Sequence, residues 1–505
     1  MLKKVIISNK KYWSDSNKNP KENGLILFDS MYSNPLLAYG VIKISLIIAE
    51  INNLKPIGLR AIRVNKNTEK MVKSMCELRT GSGLHILSSF IENSFNIVKN
   101  AIYFNSKKDL IDMTVDGVSI GKYIYDSILI AYKLPEIKYI SFKMRLRAML
   151  ELTYFYYFRS LISKNKIQFI VLADNTYRHG ILFELAKIYS IKCICPISLT
   201  NFSMRKYYQI NDFNLHYRTP ETLKFKGLSR SLIEKNLDEY LEDRYQANPS
   251  LACRNSANAY SQDKLCHDRD SLISLFNLDP CKKIVVVMAH IFCDAPHAYP
   301  STLYLDYYDW LDETVRCLKQ NNNINLLVKE HPSSMLYSES GIVEEVLYKH
   351  KSCNSILPTN LNTQTVLDAA DIVVTCGGTI GLEFSIMGKP VVLAAAPPYS
   401  NLGFTHDFKS KSDYELMLHN IHKIKKLNKK QLETAKMAGY YEFIMMNNYD
   451  KRLELGGQRF IPGGEVNFNK MLNEILSENN VKLQDQYIYK TLKDFIESSS
   501  KRGLL

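Results

Sequence analysis

Short apolar runs rich in Val, Ile and Leu alternate with helix-patterned segments along this chain, in two successive series. Runs apolar at every position suit strands buried on both faces, the condition of a parallel sheet flanked by helices. In the first series the pattern predicts strands over 24–29, 56–62, 168–173 and 192–197. Helices are expected over 35–51 and 181–189, and residues 67–165 read as helix-rich. Residues 174–180 read as the loop after a buried strand, closing a βαβ unit whose crossover should be right-handed. The stretch 243–270 turns polar and loop-like, and a domain boundary is expected there or just after it. The second series predicts strands over 283–289, 324–329, 372–375 and 391–395, with helices over 307–320, 342–350, 363–370 and 379–387. Beyond Leu427 the chain reads mainly helical, broken by Gly456-Gly457 and Gly463-Gly464. The expectation is two doubly wound α/β domains, 1–270 and 271–445, followed by a helical tail, 446–505.

No stretch approaches the ~20 apolar residues of a membrane-spanning helix. Met1–Ile7 begins like a signal peptide but its apolar run ends at Ser8-Asn9-Lys10, short of the roughly 7–15 residues required; it is read as a first strand or arm. The ten cysteines form no CxxC pair and suit buried free thiols in a reducing cytosol. Lys and Arg number 65 against 51 Asp and Glu, a net charge of +14. That excess suits an anionic ligand or membrane surface. The basic residues are dispersed and no RNA-binding motif is present, so nucleic acid is not the expected partner.

Two places carry chemistry. In Leu326-Leu327-Val328-Lys329-Glu330-His331-Pro332 a strand ends in Lys329 and His331. Residues two apart share a strand face, so both are expected at the crevice where open α/β sheets bind ligands. A cation beside a histidine suits phosphate oxygens. The second place runs from Ala370 to Val392: strand, Cys376-Gly377-Gly378 turn, helix, Gly388-Lys389-Pro390 stop, strand. Gly377 and Gly378 are expected to take positive φ and let a ligand approach. The helix N-terminus beyond them offers N–H groups to a phosphate. Thr375 and Thr379 add hydroxyls, and Glu383, four residues past Thr379, can accept from sugar hydroxyls. Neither a Walker loop nor GxGxxG spacing is present.

Together, Lys329-Glu330-His331-Pro332, Thr375-Cys376-Gly377-Gly378-Thr379-Ile380-Gly381-Leu382-Glu383 and Gly388-Lys389-Pro390-Val391 resemble the capsule polysaccharide biosynthesis family. That family includes bacterial Kdo transferases and, more distantly, sialyltransferases with an HP motif. The resemblance covers roughly residues 280–410. It implies a GT-B glycosyltransferase: two Rossmann-like domains facing a cleft, with a nucleotide sugar held mainly by the C-terminal one. It implies that His331 contacts the donor phosphate, that Thr375, Gly377, Gly378 and Thr379 line the phosphate or nucleotide, and that Glu383 binds ribose hydroxyls. No metal or other cofactor is implied, since helix dipoles and basic side chains offset the leaving phosphate; no DxD motif sits on a strand-end loop.

Other residues have two readings each. His290, Asp294 and His297 have metal-ligand composition without zinc spacing, and are read as a loop edging the donor cleft. Asp306 is a candidate helix N-cap. Asp29, Asp174 and His179 are candidates for a base that deprotonates an acceptor hydroxyl, Asp174 being the one selected. Ser400 and Asn401 are candidate sugar contacts or parts of a structural loop. Lys423, Lys425, Lys426, Lys429 and Lys430 read as one basic helix, solvated or touching an anionic membrane. The expected partners are a nucleotide-sugar donor and an oligosaccharide or lipid-linked glycan acceptor, in the cytoplasm or at the inner membrane face. A nucleotide-sugar 2-epimerase and a teichoic-acid-type polyol-phosphate transferase are the alternatives.

Overall fold

A computed structural model describes residues 1–16, 24–29, 35–59, 66–75, 83–172, 174–198, 203–216, 218–225, 227–247, 258–447 and 468–503. Two sheets organise them. The first contains β1 (Leu25–Asp29), β2 (Lys55–Leu59), β3 (Ile167–Val171), β4 (Lys192–Ser198) and β5 (Ser203–Tyr207). The second contains β6 (Lys283–Met288), β7 (Ile324–Lys329), β8 (Ile356–Leu357), β9 (Ile372–Thr375) and β10 (Val391–Leu393). A short β11 (Arg502–Gly503) joins the edge of the first sheet, whose order is β11-β5-β4-β3-β1-β2. Its central pairs are parallel, whereas β4–β5 and β5–β11 are antiparallel. The second sheet, ordered β8-β7-β6-β9-β10, is parallel throughout.

Both sheets are covered on both faces, so both halves are doubly wound. Tyr125, Tyr154, Phe155 and Phe158 pack one face of the first sheet. Its other face is packed by Val5, Trp13, Ile44 and Ile48, with Leu472, Ile475, Leu492 and Phe495 from the C-terminal helices Phe468–Glu478 and Tyr487–Glu497. The chain's last helices therefore return to its first sheet. Trp310, Leu311 and Tyr414 pack one face of the second sheet, and Leu237, Leu382, Phe384 and Ala435 the other. Leu237 lies on the helix Arg230–Tyr245, which thus packs with the second half.

The two halves touch directly. Lys107 binds Asp306, Asp309 and Glu136 together, and the Tyr125 hydroxyl donates to Asp306. His297 Nδ1 lies 2.6 Å from the Asp126 carboxylate. Asp306 also caps its helix as expected, accepting from the Asp309 N–H at 2.8 Å.

The structure corrects four expectations. The N-terminal arm is a helix, Leu2–Ser16. In a strand Val5 and Ile7 would share a face; instead Val5 is fully buried while Ile7 is 69% exposed, and Val5, Asn9 and Trp13 are buried at helical spacing. The loop after β3 is shorter than expected, because the helix begins at Tyr177; Asp174 accepts from the Thr176 N–H and closes the turn early. The lysines from 423 to 430 do not share one helix. Lys423 ends a 3₁₀ turn, and a new helix, Lys429–Gly439, starts from an Asn428–Gln431 capping box. Finally, Gly377 and Gly378 do not take positive φ, whereas Gly388 does, at +77°. Among the described residues no helix is long and apolar enough to cross a membrane.

Candidate active site

In an open α/β sheet, ligands settle where adjacent strands leave in opposite directions. In the second sheet that point lies between β6 and β9, and in the first between β1 and β3. A cavity of about 450 Å³ opens at the C-terminal ends of these strands, with walls from both halves.

Register builds the second half's wall. Met288 at the end of β6 pairs with Lys329 at the end of β7, and Thr375 at the end of β9 pairs with Met288. His290 and His331 each lie two residues past a strand end, so the register that aligns Met288 with Lys329 also aligns the two histidines. Both line the cavity. His331 Nδ1 accepts from the Ser333 N–H at 3.1 Å, which leaves the proton of the neutral ring on Nε2. His290 Nε2 accepts from the Gly377 N–H at 3.2 Å and lies 3.3 Å from the Thr375 hydroxyl. The His290 ring stacks on Tyr307 at 4.4 Å between centroids. Burial pushes His331 down to about 4. Burial, followed by the nearby His331, pushes His290 down to about 3.

These depressed values make stability pH-dependent. An unfolded histidine titrates near 6.5, so between pH 6.5 and about 4 the unfolded state binds more protons, and stability falls as the pH falls. For His331 the loss is roughly 3 kcal/mol. The stability difference between wild type and His331→Gln should shift in favour of the variant by that amount between pH 7 and pH 4, as read from urea midpoints at the two values.

The glycine turn is shaped by packing rather than by φ. A Cβ on Gly377 would sit 2.7 Å from the Tyr299 ring, whose hydroxyl donates to the Gly377 carbonyl at 2.7 Å. The Tyr399 hydroxyl donates to the Gly378 carbonyl. Thr375, Gly377, Gly378, Thr379 and Glu383 all line the cavity. Glu383 is buried, and its two oxygens accept from Arg244 Nη2 at 2.8 Å and from the Tyr260 hydroxyl. A carboxylate keeps further lone pairs beyond these two bonds.

From the first half, Asp174, Thr176 and Tyr177 reach the same cavity. The Thr176 Oγ1 is buried without a hydrogen-bond partner among the described residues. The Tyr177 hydroxyl donates across to Asp294 Oδ1 at 2.7 Å. Asp294 is exposed at the cavity. Its desolvation by the protein, with the charges of Asp174 and Asp126, pushes its carboxyl above the usual range, against the lowering effect of the Tyr177 bond.

Other expected residues lie elsewhere. Lys329 is buried and donates to the Leu361 carbonyl at 2.8 Å, off the cavity wall. Burial, followed by repulsion from Lys264, pushes its ammonium down to about 7. Ser400 bonds the Pro397 carbonyl, and Asn401 is tied to Ser400 and Asp407; neither lines the cavity, although Pro398 and Tyr399 do. His179 is likewise absent from the lining. Asp29 ends β1 at the same edge of the sheet. His290, Asp294 and His297 do not converge, since each is held by a different partner: Gly377, Tyr177 and Asp126.

The sequence reading missed the Arg244–Glu383–Tyr260 cluster, His290 as the partner of His331, and the Tyr177–Asp294 bridge. The two histidines had a legible signal, an equal offset past two apolar strands. Arg244 had none, being 139 residues from Glu383.

Comparison with known proteins bears on the second half. Residues 232–443 match the sequence model of a family described as capsule polysaccharide biosynthesis protein. No curated protein matches. Among solved structures, the chain is similar to the β Kdo 2,7 transferase of Thermosulfurimonas dismutans KpsC at 17% identity, covering 64% of this chain and 88% of that one, with a TM-score of 0.32. The β Kdo 2,4 transferase of the same protein gives 13% identity, 62% and 88% coverage and a TM-score of 0.32. A glycosyltransferase from Rickettsia africae gives 11% identity, 92% and 100% coverage and a TM-score of 0.31. The sequence match covers 212 of the chain's 505 residues. The resemblance first seen around His331 and Gly377-Gly378 thus holds: over residues 232–443 this chain carries the signature of the capsule polysaccharide biosynthesis family.

Proposed function

We propose that the protein is a glycosyltransferase that moves a sugar from a nucleotide-activated donor to a capsule- or lipopolysaccharide-type glycan. The observation that carries this reading is the alignment of His331 and His290 beside the Gly377-Gly378 turn, opposite Asp174 across one cavity.

In this reading the donor phosphate sits between His331 Nε2–H and the first N–H groups after the glycine turn, which lack intrahelical acceptors. Both histidines are neutral before the donor binds. With Nδ1 held by the Ser333 N–H, the neutral ring keeps its proton on Nε2 and offers it as a hydrogen bond that strengthens as charge develops on the departing phosphate. Thr375 and Thr379 add hydroxyl contacts. Glu383, oriented by Arg244 and Tyr260, uses its remaining lone pairs for the ribose hydroxyls. Asp174 accepts the acceptor's proton, and the unpartnered Thr176 hydroxyl serves the incoming sugar. The chain's own groups account for phosphate binding, and none of these steps calls on a metal ion. The acceptor, an oligosaccharide or lipid-linked glycan, enters from the first half, and the enzyme works in the cytoplasm, at the inner face of the membrane.

The test is to incubate the protein with CMP-, UDP-, GDP- and CDP-linked donors, with and without glycan acceptors, and to follow products by mass spectrometry and NMR. Acceptor-dependent gain of one sugar mass, lost in Asp174→Asn, is expected. Conversion of a UDP-sugar to its epimer without any acceptor would overturn the reading in favour of a 2-epimerase.

A further inference from the structure

The helices Gly83–Glu92 and Ser94–Tyr103 follow one another with only Asn93 between them. The Asn93 N–H bonds the Ser89 carbonyl and the Ile97 N–H bonds the Asn93 carbonyl, so their turns run on almost as one helix. One face is ordinary: Ile86, Ile97 and Ala101 are buried in the core, with Phe90 packed against it. A surface helix with that face inside should be polar opposite. Here the outward face is apolar again. Leu87, Ile91, Phe95, Val98 and Ile102 follow at steps of four, four, three and four, with Phe95 77% and Ile102 60% exposed.

The stripe is extended by a third element. The helix Phe142–Ser163 packs on both of these helices. Its Arg145 holds the Ala101 and Ile102 carbonyls at 2.8 Å, which fixes its first turn beside the stripe's end. There Phe142 is 75% and Tyr103 79% exposed, and Leu146 is also exposed. An apolar surface of this continuity is unusual on a protein meant to be free in water.

Charge identifies its occupant. Lys99 and Lys143 are exposed among these side chains without an ion pair among the described residues, against one exposed carboxylate, Glu92, which accepts from the Ser88 hydroxyl. Aromatic and aliphatic side chains interleaved with lysines match a bilayer surface that is apolar beneath and anionic at its headgroups. We propose that this face, built from residues 87–103 and 142–146, docks the enzyme on an anionic lipid bilayer. The surface is separate from the cavity residues, so docking stands or falls independently of sugar transfer.

The experiment is vesicle flotation of the full chain with phosphatidylcholine alone and with phosphatidylcholine mixed with phosphatidylglycerol. The wild type should float with the mixed vesicles and roughly tenfold less with the neutral ones, and salt should weaken binding. Phe95→Ser with Phe142→Ser should reduce flotation about tenfold or more. Lys99→Glu with Lys143→Glu should do the same without removing any apolar group, which keeps the test decisive if the first variant folds poorly. Circular dichroism should show both variants folded. Equal wild-type flotation with both lipids, or none, would overturn the proposal. So would a stable dimer of the wild type that these substitutions dissociate, because a second copy of the chain would then cover the face.

Discussion

Replacing His331 with alanine should lower kcat/KM for sugar transfer by about two to three orders of magnitude, the range for losing a positioned hydrogen-bond donor to developing charge. Most of that loss should appear in kcat, because the ring's proton matters most as charge develops on the departing phosphate. The fold should persist, since Nδ1 makes one local bond, to the Ser333 N–H. Steady-state kinetics beside a thermal melt would separate the two effects. Unchanged kcat with an intact melt would show that His331 does no chemistry.

Replacing Arg244 with methionine should destabilise the protein by about 3–5 kcal/mol, because Glu383 would be left charged and buried with its cation removed. For a domain of ~150–250 residues each kcal/mol shifts Tm by about 2–4 °C, so a drop on the order of 10 °C is expected by calorimetry. Adding Glu383→Gln should recover much of that stability, since the orphaned charge then disappears. It should not recover donor affinity, because the carboxylate proposed for the ribose is gone. Full recovery of both would show that the pair is purely structural.

The second sheet was the most legible part of the chain. Its strands are apolar at nearly every position and end at Lys329, Thr375 and similar punctuation, so two of them, 324–329 and 372–375, match residue for residue. The first helix was misread because Val5-Ile6-Ile7 is too short a run to distinguish period 2 from period 3.6. Only the burial of Asn9 and Trp13 resolves it. The C-terminal helices were legible as helices, but not their return to the first sheet, because an amphipathic pattern does not name the surface that covers it. The glycine turn was located correctly for a partly wrong reason. Gly377 is required by the Tyr299 ring against it, a contact between residues 78 apart. Lys329 shows the same limit in reverse. Its strand position was right, but a carbonyl at Leu361 draws its ammonium away from the cavity.

The most direct measurement is a crystal structure with an intact nucleotide-sugar donor bound. The account predicts phosphate oxygens within hydrogen-bond reach of His331 Nε2 and of the backbone N–H groups following Gly377, with the sugar carbon facing Asp174. A donor bound outside this cavity, or with its phosphates turned away from His331, would contradict it.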